Sequence, residues 1–259
     1  MINNKYKIEK YLTRGNFGDI IECSYKNKKY AMKCSIDLNV IKYEANIYKE
    51  LRKIKNISKM IDSFLYNDKY YLVLELFNMN LKEYKLKFIK VHDYEIKVHK
   101  IMIKVIDIIK DIHYMGIIHR DLKPDNICLN VNLQPFIIDF GLAKKIINNT
   151  RHIEERKIKN LIGSPNYISL NVVKLIEPSR RDDIESLFYI YMYMLLSDLV
   201  WIEYTKNPLE KQKELFLIKE FLNKNKLSLK LLDILTYLRK LHFSQSINYN
   251  HLIILYKNI

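Results

Sequence analysis

Eight consecutive residues, His119-Arg120-Asp121-Leu122-Lys123-Pro124-Asp125-Asn126, constrain this chain more than any other stretch. They crowd an imidazole, a guanidinium, two carboxylates, an ammonium and a carboxamide onto what the flanking patterns make a loop. Upstream, over residues 93–114, apolar side chains recur at Val98, Ile101, Met102, Val105, Ile109 and Ile112. That is the spacing of a core-packed helix, and Gly116 stands where such a helix stops. Downstream, Ile127-Cys128-Leu129 and Phe136-Ile137-Ile138 read as a small hairpin ending in Asp139-Phe140-Gly141. A long helix thus delivers the chain to a charged loop, and a hairpin carries it on to a second acidic turn.

The string resembles the catalytic loop of protein kinases, H-R-D-x-K-P-x-N. The resemblance implies that Asp121 accepts the proton of an attacking hydroxyl and that Asn126 holds a magnesium ion. It also implies that Lys123 reaches the γ-phosphate as charge builds there in the transition state. Such a loop requires a phosphate loop and a lysine strand before it and a metal aspartate after it, and all three occur in that order. Thr13-Arg14-Gly15-Asn16-Phe17-Gly18, between β-runs at residues 6–12 and 19–24, is similar to the glycine-rich loop. Gly15 and Gly18 match its second and third glycines, Thr13 replaces the first, and Leu12 and Ile20 become nucleotide-contacting apolar positions. Glycine lets backbone N–H groups approach ATP phosphates with no Cβ in the way, although two glycines suit any hairpin turn.

Tyr30-Ala31-Met32-Lys33 resembles the V-A-I-K strand, which implies that Ala31 touches the nucleotide and Lys33 pairs with its phosphates. The partner of Lys33 is then Glu44, on a helix read over residues 40–54 from Ile41, Ile47, Tyr48, Leu51 and Ile54; an exposed surface glutamate is the alternative. Two further β-runs, 60–65 and 70–75, flank the turn-forming Tyr66-Asn67-Asp68-Lys69 and complete a five-stranded antiparallel sheet. By resemblance, Leu74 controls the depth of the adenine pocket, Glu75, Leu76 and Phe77 form the hinge that binds adenine, and Asp139 of the D-F-G triplet binds magnesium. The implied fold is α+β and bilobal. Residues 1–76 make an ATP-binding β lobe with one main helix, and residues 77–259 a mainly helical catalytic and substrate-binding lobe.

A narrower resemblance follows. Asp139-Phe140-Gly141-Leu142-Ala143-Lys144-Lys145, the stretch from Asn160 through Gly163-Ser164-Pro165-Asn166 to Asn171, and Ser179-Arg180-Arg181-Asp182-Asp183-Ile184-Glu185-Ser186-Leu187 are similar to the casein kinase 1 family. Ile168-Ser169-Leu170-Asn171 replaces the A-P-E of most protein kinases, and Tyr237-Leu238-Arg239-Lys240-Leu241-His242-Phe243 with Tyr249 and Leu252 resembles the family's closing pattern. The resemblance runs from Tyr6 to about Tyr256 and departs from the pattern at Thr13, Pro165, Asn166, Phe188, Ile247 and Asn248. It implies a monomeric serine/threonine kinase that needs no activation-loop phosphorylation, lacks a regulatory tail and favours acidic or phosphorylated substrate segments. Arg181, Arg156, Lys159 and Lys226, or Lys224 in place of the last, would receive those anions, guanidinium groups being suited to bidentate phosphate contacts. The other readings are a salt bridge from Arg181 to Asp182 or Asp183, and a solvated face for the lysines.

A formal charge of +15 suits an acidic partner, but the lysines are scattered through an Ile-, Lys-, Asn- and Tyr-rich chain and no basic–aromatic motif marks a nucleic-acid site. Cys23, Cys34 and Cys128 fit neither a disulfide framework nor a zinc site and read as packed thiols. With no secretory signal, cytosol or nucleus is expected. The most apolar stretch, residues 187–201, is broken by Ser197 and Asp198 and falls short of the ~20 residues of a membrane span, so it reads as a buried helix. A pseudokinase scaffold and a small-molecule kinase are the competing readings. The first has only Thr13 and the altered activation segment behind it, and the second should lack a peptide-docking segment like residues 160–171.

Overall fold

The amino-terminal strands pair in the order β1-β2-β3-β5-β4, antiparallel throughout: β1 Lys7–Gly15, β2 Gly18–Tyr25, β3 Lys28–Ser35, β4 Met60–Tyr66 and β5 Lys69–Glu75. The computed structural model that shows this describes residues 1–15, 18–196, 215–224 and 229–258. Two of the turns are two-residue hairpins with both central residues left-handed, Lys26-Asn27 (φ 48° and 61°) and Asn67-Asp68 (φ 47° and 58°). That geometry matches the twist of the strands it joins. Register then divides the sheet's residues between two faces. Ile21, Cys23, Met32, Cys34, Tyr71 and Val73 share one face and pack with Ile2 and Tyr6 into a core of their own; Cys128 is buried elsewhere, so all three thiols are packed and unpaired as expected. Ile20, Glu22, Ala31, Lys33, Leu72 and Leu74 share the other face.

Helix α1, Leu38–Leu51, crosses that second face. Asp37 caps it by accepting from the N–H groups of Asn39 and Val40, so it starts two residues earlier than the apolar spacing predicts. Its buried stripe of Ile41, Glu44, Ala45, Ile47, Tyr48 and Leu51 contains one carboxylate.

Beyond Glu75 the chain is mainly helical. Helix α2 is Leu81–Phe88, closed by a capping box between Asn80 and Glu83. Helix α3, Tyr94–Tyr114, ends at Gly116, whose φ of 69° is the left-handed stop read from the sequence. A short α4, Leu170–Val173, precedes α5, Arg180–Leu195, and Leu215–Lys224, Leu231–Lys240 and Tyr249–Lys257 follow. From Asp182 to Met192 every residue of α5 is buried, so this helix is the axis about which the others pack. The apolar run read over residues 187–201 is its second half; positions 197–201 lie outside the described residues. Among the described residues no helix is long and apolar enough to cross a membrane. The charged loop is framed as expected. Strand β6 (Met79–Asn80) pairs with β8 (Ile127–Leu129) and β8 with β9 (Pro135–Ile137), while β7 (Ile117–Ile118) pairs with β10 (Lys144–Lys145).

Candidate active site

A cavity of about 850 Å³ opens between the sheet and the helical part. Leu12, Thr13, Ile20 and Ala31 form its roof, Leu74 (8% exposed) its back, and Cys128 and Ile138 line it from the β8–β9 side. Gly18 has φ 122°, and a Cβ there would lie 2.0 Å from the Cys34 carbonyl oxygen, so only glycine fits. Gly15 pairs with Gly18 at the hairpin's tip, whose next two residues, 16 and 17, are not described. At the back edge, Glu75 is pinned twice to Lys59: its N–H donates to the Lys59 carbonyl (3.1 Å) and its Oε2 accepts from the Lys59 N–H (3.0 Å). The chain then leaves the sheet, and Leu76 and Phe77 line the cavity with peptide groups free of strand pairing, Phe77 packing on Phe136 at 4.7 Å. An apolar slot with backbone donors and acceptors along one edge accommodates a flat heteroaromatic ring.

Deeper in, Lys33 Nζ lies 2.8 Å from Glu44 Oε2 and 2.8 Å from Asp139 Oδ1, so Glu44 is the expected partner and not an exposed glutamate. Asp139 sits at φ 63°, its N–H donating to the Tyr48 hydroxyl of α1 (3.0 Å). Phe140, fully buried, is gripped between Tyr48 (5.1 Å, edge-on) and His119 (5.0 Å). Helix α1 therefore holds both the lysine and the acidic turn. Burial pushes the Glu44 carboxyl up to about 7 against the pull of Lys33. Burial acts the same way on Asp139, but there the adjacent ammonium wins and holds the carboxyl below its usual range.

A pH dependence follows. The folded chain takes up the Glu44 proton at a higher pH than the unfolded chain, so this group favours folding more, not less, as pH falls through about 7, while its charge on Lys33 is lost. The expected result is an acid limb in kcat/KM for nucleotide with an apparent pKa near 7, without a parallel fall in melting temperature. The limb should be absent from Glu44→Gln, and one that persists there would assign it to another group.

In the charged loop, Asp121 is held at both oxygens: Oδ1 accepts from Ser164 Oγ (2.7 Å), and Oδ2 from Lys123 Nζ (2.8 Å) and Asn126 Nδ2 (3.3 Å). Asn126 Nδ2 also donates to the Asp121 carbonyl (2.9 Å), which commits the amide nitrogen inward. Lys123, Asn126 and Asp139 line the cavity together. Asn126 and Asp139 are the groups that could hold a magnesium ion. No cluster of three or more His, Cys, Asp or Glu is placed to cage a metal among the described residues. The pair fits an ion that takes its remaining ligands from phosphates and water, as magnesium does. Gly163, with φ 95°, lies against the loop: a Cβ there would come within 2.4 Å of the Arg120 carbonyl oxygen.

What holds the loop was not visible as a site residue. Arg120 is left-handed (φ 68°), and the N–H groups of His119 and Arg120 donate to the two oxygens of Asp183 in α5 (2.7 and 2.9 Å). Asp182 accepts from Ser169 Oγ (2.5 Å), Asn171 Nδ2 (3.0 Å) and the Ser179 N–H (2.7 Å), and burial pushes its carboxyl up to about 6. Glu185 accepts from the Leu170 N–H (3.1 Å), Tyr189 (2.5 Å) and Arg239 (2.9 Å). The acids of the Arg180–Leu187 string thus brace the loop, the 168–171 stretch and the carboxy-terminal helices.

The anion-binding candidates are dispersed. Arg181 is 12% exposed at its side chain and bonds Glu155 Oε2 (3.1 Å) and the Leu241 carbonyl; Asp182 lies farther away at 3.9 Å, so neither acid weighed as its partner is the main one. Arg156 meets the buried Glu177 (2.9 Å) yet stays 69% exposed, Lys159 is exposed, and Lys226 lies outside the described residues. Glu177 also accepts from Lys144 (2.8 Å) and faces Arg120 at 3.8 Å.

The model of the protein kinase domain matches residues 6–252. A probable casein kinase I homolog of Encephalitozoon cuniculi is 32% identical over 219 residues, a match that covers 80% of this chain and 68% of that protein. Together with the ion-paired lysine, the braced catalytic loop and the cleft between sheet and helices, these matches show that the chain belongs to the protein kinase family and, within it, to the ATP-dependent serine/threonine enzymes of the casein kinase 1 group.

Proposed function

We propose that this enzyme phosphorylates serine and threonine in protein segments that are acidic or already phosphorylated, using Asp121 as base, Lys123 and Lys33 as phosphate contacts, and Asn126 and Asp139 as the magnesium pair. The observation that carries the assignment of roles is Lys33 held 2.8 Å from both Glu44 and Asp139, because it aims one ammonium at the position of the nucleotide's phosphates before any nucleotide binds. Magnesium, held by Asn126 and Asp139 when bound, would neutralise negative charge on the nucleotide's phosphates. Asp121 takes the proton from the substrate hydroxyl as its oxygen bonds to the γ-phosphorus, the bond to the bridging oxygen breaks and ADP leaves. Ser164 and Lys123 keep the Asp121 carboxylate in one rotamer for that step.

The nucleotide's roof falls to residues 1–76 and peptide binding to residues 77–259. The enzyme acts as a monomer in the cytosol or nucleus, and its three buried, unpaired thiols suit such a reducing compartment. It works without phosphorylation of its own activation segment, because Glu177 already supplies Arg120 and Lys144 with the anion that an added phosphate would otherwise bring. Arg156 and Lys159, exposed on that segment, are the first contacts for substrate anions, and Arg181 reaches one by giving up Glu155. The test is a degenerate serine peptide library presented with and without an upstream phosphoserine. A preference of about tenfold for the primed set is expected, falling in Arg156→Ala, in Lys159→Ala and in Arg181→Ala. Equal rates on both sets would remove the primed-substrate reading, no enrichment of Asp or Glu among the unprimed peptides that react would remove the acidic one, and either result leaves the kinase assignment untouched.

A further inference from the structure

Tyr249 opens the carboxy-terminal helix Tyr249–Lys257, 128 positions beyond Asp121 in the chain, yet it is tied to the catalytic loop through buried groups alone. Its hydroxyl meets His113 Nδ1, and His113 Nε2 lies 2.9 Å from Asp183 Oδ2. That same Oδ2 accepts the His119 N–H at 2.7 Å, and Oδ1 the Arg120 N–H at 2.9 Å. Tyr249, His113, Asp183 and His119 are each 4% exposed or less. The start of the helix is itself fixed: the Asn248 N–H donates to the Tyr237 hydroxyl (2.9 Å) and the Asn248 side chain caps the His251 N–H (3.0 Å).

We propose that Tyr249 and His113 are positioning residues for phosphate transfer, setting the rotation of the Asp183 carboxylate and through it the backbone that aims Asp121. The proposal rests on Asp121 being the base. The physical need is specific. Arg120 is left-handed, a conformation its side chain disfavours, so the loop keeps that shape only while both amides find their acceptor. A carboxylate with two amide donors on different oxygens still needs a third contact to fix its plane, and His113 provides it. Tyr249 fixes His113 in turn: a phenol that donates to Nδ1 leaves the Nε2 proton for Asp183. Burial drives the Tyr249 phenol far above its ordinary range, so it stays a donor. Burial would also raise Asp183, but the His113 and loop contacts outweigh it and keep the carboxylate charged.

The experiment uses the full chain with Tyr249→Phe, His113→Gln and the double variant, following kcat, KM for ATP and hydrogen exchange at the amides of His119 and Arg120. Tyr249→Phe keeps the ring that packs beside Tyr114 and His113 and removes only the hydroxyl. It should lower kcat by about fivefold with KM for ATP within about twofold, and the double variant should be no worse than His113→Gln, since both act on one link. Exchange at the two amides should quicken in parallel, and Tyr114→Phe, exposed at the same helix end, should match wild type on every readout. Wild-type kcat and wild-type exchange in Tyr249→Phe would overturn the proposal, as would a fall in kcat that tracks a loss of folded protein. If the wild-type chain transfers no phosphate, the reading of Asp121 fails, and the exchange rates alone then decide whether Tyr249 and His113 hold the loop.

Discussion

Asp139→Asn is expected to reduce phosphate transfer by on the order of a thousandfold or more while leaving the cleft intact, because one charge is removed and almost nothing else. Asparagine tolerates the left-handed backbone at this position (φ 63°), which alanine would not do as readily. The contact to Tyr48 is made by the Asp139 main-chain N–H and survives the change, and Lys33 keeps Glu44. What disappears is the carboxylate proposed to hold magnesium with Asn126, so transfer to casein or an acidic peptide should fall by that factor while nucleotide still binds. The comparison with wild type separates an enzyme from a scaffold. Should the unaltered chain bind nucleotide and never transfer phosphate with magnesium present, the catalytic assignment is wrong and Thr13 in the glycine-rich loop becomes the first place to look.

Glu177→Ala is expected to damage both stability and turnover. Glu177 is 1% exposed and accepts from Lys144 and Arg156, with Arg120 beside them. Burial alone would raise its carboxyl, but the two hydrogen-bonded cations hold it below the usual range. Removing it leaves cations facing one another in a partly buried site, a loss of about 3–5 kcal/mol if the site does not rearrange. Because Arg120 immediately precedes Asp121, kcat should fall more than tenfold even where folded protein is recovered. Glu177→Gln, which keeps the shape and one acceptor, should be milder. Denaturant unfolding and kcat measured on the same samples decide the matter. An alanine variant within about twofold of wild type in kcat would mean that Arg120 needs no anion.

The parts of this molecule that are local in sequence were legible in it. The turn at Asn67-Asp68, the β-runs, the apolar stripe of α1 and the stop at Gly116 all rest on spacing that short segments carry by themselves. The Lys33–Glu44 pair was legible because each residue occupies a fixed place in a recognisable string. Asp182, Asp183 and Glu185 were not, although they sit in the most distinctive string of all. Three acids in a row of four look the same on a solvated helix as on a buried one, and only the packing of α3 and the Leu231–Lys240 helix around α5 turns them inward. One clue was available: the residues after Glu185 are apolar on every side, which leaves such a helix no wet face for its acids. Nothing local foretold that Arg181 would choose Glu155, which is brought to it by the path of the activation segment. The same holds for Tyr48, which read only as one more apolar step in a helix and proved to hold the Asp139 backbone through its hydroxyl.

The seat of Phe140 has a consequence for inhibitor chemistry. Its ring is closed in between an aromatic of α1 and the imidazole of the catalytic loop, and the residue before it is hydrogen-bonded to that same aromatic. A compound that must evict this ring to gain an extended hydrophobic channel would disrupt two ring contacts and a backbone tether at once. Small flat molecules that accept the cleft as it stands, reaching past Leu74 toward Ile138, have no such work to do.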